Sequence, residues 1–157
     1  MKRSLALLCL AATPATAQEA DPVQQMIEGF SICMNMAKPS GPPLLQIYQW
    51  TEETVQDDIV MALPPGASQA FVIFDQQKTF CTVESMTLGT DKMLETLTNV
   101  VELGDFFQMP EPGTSPEGCA TYDFGDGMVA SLTSGGDAPT CTSQDNSALN
   151  FTFTAQD

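Results

Sequence analysis

The stretch from Phe30 to Pro39, FSICMNMAKP, places one thiol and two thioethers within four positions. Cys33, Met34 and Met36 are soft ligands of the kind that Cu(I) prefers. Successive residues of a helix are about 100° apart, so Met34 and Met36 would point about 200° apart and could not hold one ion. The chain also has no histidine, the commonest partner ligand for copper and zinc. We therefore expect no metal site here, and predict that the two methionines pack on opposite flanks of a helix.

The N-terminus is typical of a secretory signal peptide. Two basic residues precede an apolar segment, Ser4–Ala12, and small residues lead to an expected cleavage after Ala17. This apolar segment is too short to span a bilayer, and no later segment approaches the roughly 20 apolar residues that a membrane helix needs. Cys9 lies inside the segment, where a lipoprotein signal would not place it. We predict a signal peptide at 1–17 and a single soluble domain at 18–157, exported to the periplasm or medium of a bacterium.

The mature chain would be strongly acidic. All twenty Asp and Glu residues follow the expected cleavage site, and three lysines remain against them, giving a formal charge of −17. Such a charge repels nucleic acid and anionic lipid headgroups, so we expect neither nucleic-acid binding nor membrane insertion. It permits a cationic protein or peptide as the partner. The acids are dispersed along the chain, so solubility alone also explains them.

Four cysteines remain after the expected cleavage, namely Cys33, Cys81, Cys119 and Cys141. An even number in an exported protein favours two disulfides, for which three connectivities exist. Cys33 lies in the apolar stripe of a predicted helix and Cys81 in a predicted strand, while Cys119 and Cys141 flank a predicted hairpin. We predict the pairs Cys33–Cys81 and Cys119–Cys141. No Cys-x-x-Cys motif is present, so a thioredoxin-like redox role lacks its motif.

Helices are predicted in both halves of the chain. Asp21 and Pro22 would begin the first as its cap and first helical residue, and Gln24 would complete a capping box. A short second helix is expected over 51–62, where apolar residues recur at helical spacing. Leu44–Trp50 before it fits a helix or a strand, and we expect its tryptophan to be a core residue. A further helix begins at Thr90.

The remaining apolar runs predict strands. Two hairpins are expected, one formed by 70–74 with 79–83 and one by 122–125 with 128–132, followed by a final strand at 149–154. Residues 105–118 are rich in proline and glycine and predict a long irregular loop. The fold class is therefore α+β: a two-layer, disulfide-linked domain with an antiparallel sheet of hairpins and two or three helices packed on one face. Because each half runs from a helix to a hairpin, an internal duplication is an open alternative.

Most catalytic classes lack their residues. Without histidine, Ser-His-Asp and Cys-His mechanisms are excluded, and no Gly-x-Ser-x-Gly elbow or phosphate-binding glycine loop occurs. Asp123–Gly127 begins like a calcium loop but lacks the later ligands, and it is fully explained as a turn. We name no catalytic residue and no cofactor.

The function expected from the sequence is a non-catalytic binding or interaction module. It would use the sheet face or the 105–118 loop against a cationic protein or peptide. The alternative is a small carboxylate-based hydrolase of the cell envelope, since scattered acids could supply a catalytic pair. A third possibility is a structural module that self-associates.

Overall fold

The computed structural model describes residues 21–36, 38, 40–103 and 108–154. The predicted signal peptide and its cleavage site lie outside the described residues, as does the start of the predicted 105–118 loop. The elements in chain order are α1 Pro22–Met36, α2 Leu44–Ile47, β1 Thr51–Gln56, β2 Ile59–Leu63, β3 Ala70–Asp75, β4 Phe80–Ser85, α3 Thr90–Leu103, β5 Gly113–Thr114, β6 Ala120–Gly125, β7 Met128–Thr133 and β8 Ser147–Phe153. None of the described helices is long and apolar enough to cross a membrane.

The start of α1 follows the sequence in one respect and departs from it in another. The carboxylate of Asp21 accepts a hydrogen bond from the Val23 N–H at 2.9 Å, which is the predicted cap. The predicted capping box is wrong, because Gln24 does not return to the cap but donates to Glu28 at 3.0 Å. Residues four apart on a helix are neighbours on its surface, so Glu28 competes with the cap for this side chain.

The predicted helix over 51–62 is wrong. This segment forms an antiparallel hairpin of β1 and β2, in which β2 also pairs with β3. Val60 and Ala62 are buried and alternate with partly exposed neighbours, a period of two rather than 3.6. Burial of these two side chains and the backbone ladder to β3 outweigh the helical spacing, because strand preference depends on tertiary neighbours.

The sheet joins two similar halves. Its strand order is β1-β2-β3-β4-β8-β7-β6-β5, and each described strand is antiparallel to its neighbours. A helix followed by a four-stranded meander therefore occurs twice among the described residues, and the two meanders meet where β4 pairs with β8. Helix α1 contacts β3 and β4, whereas α3 contacts β7 and β8. The predicted α+β class, with helices packed against an antiparallel sheet, is confirmed.

The core lies between the helices and the sheet. The largest fully buried side chains from both layers are Met26, Phe30, Ile32, Met93, Leu97, Val101, Val72, Val83, Leu149 and Phe151.

Helix α1 approaches the sheet closely at Gly29. A Cβ at this position would lie 2.8 Å from Cγ1 of Val83 and 3.3 Å from Cγ2 of Val72. Any larger residue would push the helix away from the sheet, so glycine is required here for packing rather than for its backbone freedom. The sequence pattern alone did not reveal this.

Both predicted disulfides are present. Cys33 of α1 is bonded to Cys81 of β4, and Cys119, just before β6, is bonded to Cys141 in the connection from β7 to β8. Their sequence separations are 48 and 22 residues. In the loop-entropy model such crosslinks stabilise the fold by about 4 and about 3 kcal/mol, respectively. Each bond thus lies within one half of the chain.

The two disulfides should differ in their accessibility to a reductant. Both sulfur-bearing residues of Cys33–Cys81 are fully buried, whereas Cys141 is partly exposed. We expect mild reduction of the native protein, followed by alkylation and peptide mass spectrometry, to label Cys119 and Cys141 first. In concentrated denaturant the two pairs should react alike, which provides the control. Equal labelling of all four cysteines in the native protein would contradict the buried position of the first pair.

Candidate interaction surface

One face of the sheet is turned away from α1 and α3, and we call it the open face. Side chains alternate across a strand, so the neighbours of the buried core residues point to this side. In β2, the buried Val60 and Ala62 alternate with partly exposed residues, and β3 and β4 show the same alternation. The strand register aligns these side chains across the sheet: Met61 lies opposite Ile73, which in turn lies opposite Thr82.

On β2 and β3, and at Phe80 of β4, the open face is apolar. Six large apolar side chains, all partly exposed, form what we call the apolar patch: Ile59, Met61, Leu63, Phe71, Ile73 and Phe80. A solvated face of an antiparallel sheet usually carries polar residues. The signal for this patch was present in the sequence, because 59–63 and 70–74 are apolar at consecutive positions rather than at every second one.

The other part of the open face, on β8, β7 and β6, is polar. Thr82 donates its hydroxyl hydrogen to Asn150 at 2.9 Å, and the Asn150 amide nitrogen donates to the hydroxyl of Thr133 at 3.4 Å. Thr152 donates to the backbone carbonyl of Val129 at 3.4 Å. These polar groups therefore bond largely to one another and to the sheet backbone.

Acids also lie on the open face. Glu53 pairs with Met61 of the apolar patch across β1 and β2, and Asp123, on the polar part of the face, pairs with Val129 across β6 and β7. Glu84 on β4 lies opposite Phe71. The described strands contain no lysine or arginine at all. The open face therefore combines partly exposed apolar side chains with carboxylates, and its described strands contribute no cation.

Glu84 also contacts the connection between β7 and β8, where its carboxylate accepts a hydrogen bond from the Gly136 N–H. Desolvation raises the pKa of its carboxyl group above the usual 4.5, and the nearby Asp137 raises it further, while the Gly136 N–H donates to it and opposes both effects. Gly135 has φ +76°, and a Cβ there would lie 2.8 Å from a Glu84 carboxylate oxygen. Only a residue without a side chain lets this turn approach the carboxylate so closely.

Asp75, at the end of β3, serves the turn rather than a ligand. Burial by itself would raise its pKa, but hydrogen bonds outweigh burial and lower the pKa below the usual 3.8. Its carboxylate accepts the Phe80 N–H at 3.1 Å, the Thr79 N–H at 2.7 Å and the Thr79 hydroxyl at 2.8 Å. The ionised form is thus stabilised by the β3–β4 turn that it closes.

A separate cavity of about 710 Å³ lies in the helical layer, and we call it the helix cavity. It is lined by α1, by the segment that follows α1, and by the C-terminal part of α3. Tyr48 lines it, whereas Trp50 is buried in the core and donates its indole N–H to Glu28 at 2.8 Å. The described residues of its lining include no aspartate or glutamate. No single stretch of sequence predicts this cavity, because three separate segments form it.

The methionines beside Cys33 are packing residues. Met34 and Met36 both pack partly buried against the core, and Met34 also lines the helix cavity. Among the described residues, no group of three histidine, cysteine, aspartate or glutamate side chains could hold a metal ion.

The calcium-like stretch around Asp123 forms the β6–β7 turn. The Gly125 N–H donates to Asp123 at 2.9 Å, and Asp126 and Gly127 both have positive φ. Positive φ at two successive residues is the geometry of a tight hairpin turn. These residues therefore have a structural explanation that involves no ion.

Comparisons with known proteins give no relative: no family model, no curated protein and no solved structure matches the chain.

The low pKa of Asp75 predicts an acid-dependent loss of stability. In the folded protein the pKa of Asp75 lies below the usual 3.8, so its ionised carboxylate stabilises the fold at pH values above 3.8. This contribution disappears as the pH falls through the pKa that Asp75 has in the folded protein. We expect Asp75→Asn to lower the free energy of unfolding by about 1 to 2 kcal/mol at neutral pH, the difference between charged and neutral hydrogen bonds. Urea denaturation at several acidic pH values measures the difference in free energy of unfolding between the unmodified protein and Asp75→Asn. This difference should shrink toward low pH. Asp145→Asn, at an exposed position, provides the control. A difference in free energy of unfolding that does not depend on pH would contradict the stabilising role of ionised Asp75.

Proposed function

We propose that this protein is a non-catalytic binding module that docks a cationic protein or peptide on its open face. The observation that carries the proposal is the apolar patch on a sheet face with acids and without cations in its described strands. The two disulfides and the signal peptide predicted from the sequence support export to the periplasm or medium of a bacterium.

The apolar patch supplies the favourable free energy. Burial of one large aliphatic or aromatic side chain is worth roughly 1.5–3 kcal/mol, and the patch offers six that are only partly buried. Interfaces typically have an apolar centre depleted of charge and a polar rim. Met61 and Ile73 lie opposite each other in neighbouring strands and occupy the middle of the patch.

The acids favour a partner of opposite charge. Glu53 and Glu84 pair across the strands with members of the apolar patch, so a partner with basic residues beside its own apolar side chains would match both features. Complementary charge mainly accelerates association and excludes partners of the wrong sign. A second copy of this acidic chain would be repelled, which argues against self-association through this face.

The alternative is a carboxylate-based hydrolase, which requires two carboxyl groups within about 5 to 10 Å in a pocket. The helix cavity has no carboxylate among its described lining residues. The acids of the open face lie on a sheet surface, and Asp75 is engaged by the β3–β4 turn. These observations support the binding proposal over the hydrolase.

The proposal predicts binding that depends on the apolar patch and on salt. A synthetic peptide of alternating lysine and leucine serves as the probe, and fluorescence anisotropy measures its Kd. We expect the double variant Met61→Ser with Ile73→Ser to weaken binding by about tenfold or more, since two buried apolar contacts are lost. Added salt should weaken binding to the unmodified protein.

A matched variant, Ile47→Ser with Leu103→Ser, removes two apolar side chains that are exposed outside the open face and leaves the net charge unchanged. It should bind the probe like the unmodified protein, and a peptide with glutamate in place of lysine should not bind. Docking at the open face would be contradicted if the two double variants weakened peptide binding equally, or if neither of them changed the Kd. Thermal denaturation verifies that each variant is folded.

A further inference from the structure

The helix cavity lies beside a second stripe of α1. The core stripe of this helix contains Met26, Phe30 and Cys33, which are fully buried. Ile27, Ser31 and Met34 follow each of these by one residue and line the cavity instead. A step of one residue rotates the position by about 100° around the helix, so the cavity lies on a different side of α1 from its core stripe.

Side-chain hydrogen bonds fix two parts of the cavity wall. The Asn35 amide donates to the backbone carbonyl of Pro42 at 2.8 Å, which attaches the segment after α1 to the helix. The Ser31 hydroxyl donates to the carbonyl of Ile27 at 2.9 Å, so it is satisfied within the helix. The wall on this side is therefore preformed, as is usual for sites that bind small molecules.

The charge of the lining differs from that of the whole chain. The sequence has twenty acids and five basic residues, but the described lining contains no acid and one charged residue, Lys38. Most of the remaining lining is apolar, including Met34, Leu44 and Val100. A ligand that matches this arrangement has a hydrocarbon portion and a negative group at one end.

We propose that the helix cavity binds a single-chain amphiphile with a carboxylate head group, its hydrocarbon chain among Met34, Leu44 and Val100 and its head group at Lys38. The volume of about 710 Å³ lies within the range of about 300–1,000 Å³ that is usual for ligand pockets. Lys38, and the absence of acids from the described part of the lining, disfavour a cationic ligand in this cavity. The site is therefore distinct from the open face, and its test is independent of the docking proposal.

Isothermal titration calorimetry with octanoate, decanoate and dodecanoate tests the site. Burial of a methylene group strengthens binding by about fourfold, so each step of two methylenes should strengthen it by about fifteenfold until the cavity is full. Lys38→Gln should weaken binding of the carboxylates but leave binding of the alcohols of equal length unchanged. Absence of binding by the unmodified protein at every chain length would overturn the proposal.

A pair of matched substitutions locates the ligand. Ser31→Phe would fill the helix cavity from α1 and should abolish binding. Thr98→Phe is the control, because Thr98 makes the same kind of hydrogen bond to the carbonyl four residues earlier, at 2.9 Å, but is not among the lining residues. Unchanged binding in folded Ser31→Phe would place the ligand elsewhere and overturn the proposal. If near-ultraviolet circular dichroism shows that Ser31→Phe is unfolded, the Lys38→Gln variant decides the question. Equal weakening of carboxylate and alcohol binding by Lys38→Gln would overturn the proposal.

Discussion

Strand β4 pairs with β8 through six consecutive residues, from Phe80 opposite Thr152 to Ser85 opposite Ser147. Each strand also pairs with its neighbour in its own meander, so this ladder converts two four-stranded units into one sheet. Without it, both strands would be edges with unpaired backbone groups. The β4–β8 pairing joins residues far apart in the chain. The entropy of closing this long loop is lost before the pairing adds stability, and such long-range pairing slows folding.

One face of the joined sheet is covered by the helices and the other is the open face, because the helices pack on one side only. Helix α1 approaches the first half through Gly29 and is held there by the bond from Cys33 to Cys81. Gln25 reinforces this contact, since its side-chain oxygen accepts the Ala70 N–H at 3.1 Å. With the helical layer fixed on one side, the alternate side chains of β2 and β3 remain partly exposed on the other. The apolar patch is thus a direct consequence of where the helices lie.

The two proposed sites have opposite charge preferences. The open face presents acids beside its apolar side chains, whereas the described lining of the helix cavity contains Lys38 beside its own. An acidic chain can hold both because the described lining of the cavity excludes aspartate and glutamate. In the two proposals, charge selects different partners, while apolar burial would supply the favourable free energy at both sites.

The sequence by itself determined the class of fold, the long helices, most of the strands and the disulfide pairing. Each of these depends on local periodicity or on the number and positions of the cysteines. The segment 51–62 was mispredicted, because only its pairing with β3 makes a strand more favourable than a helix. Tertiary structure alone decided the close approach at Gly29, the exposure of the apolar patch and the helix cavity. These features arise from segments distant in sequence, and local patterns do not specify which faces become covered.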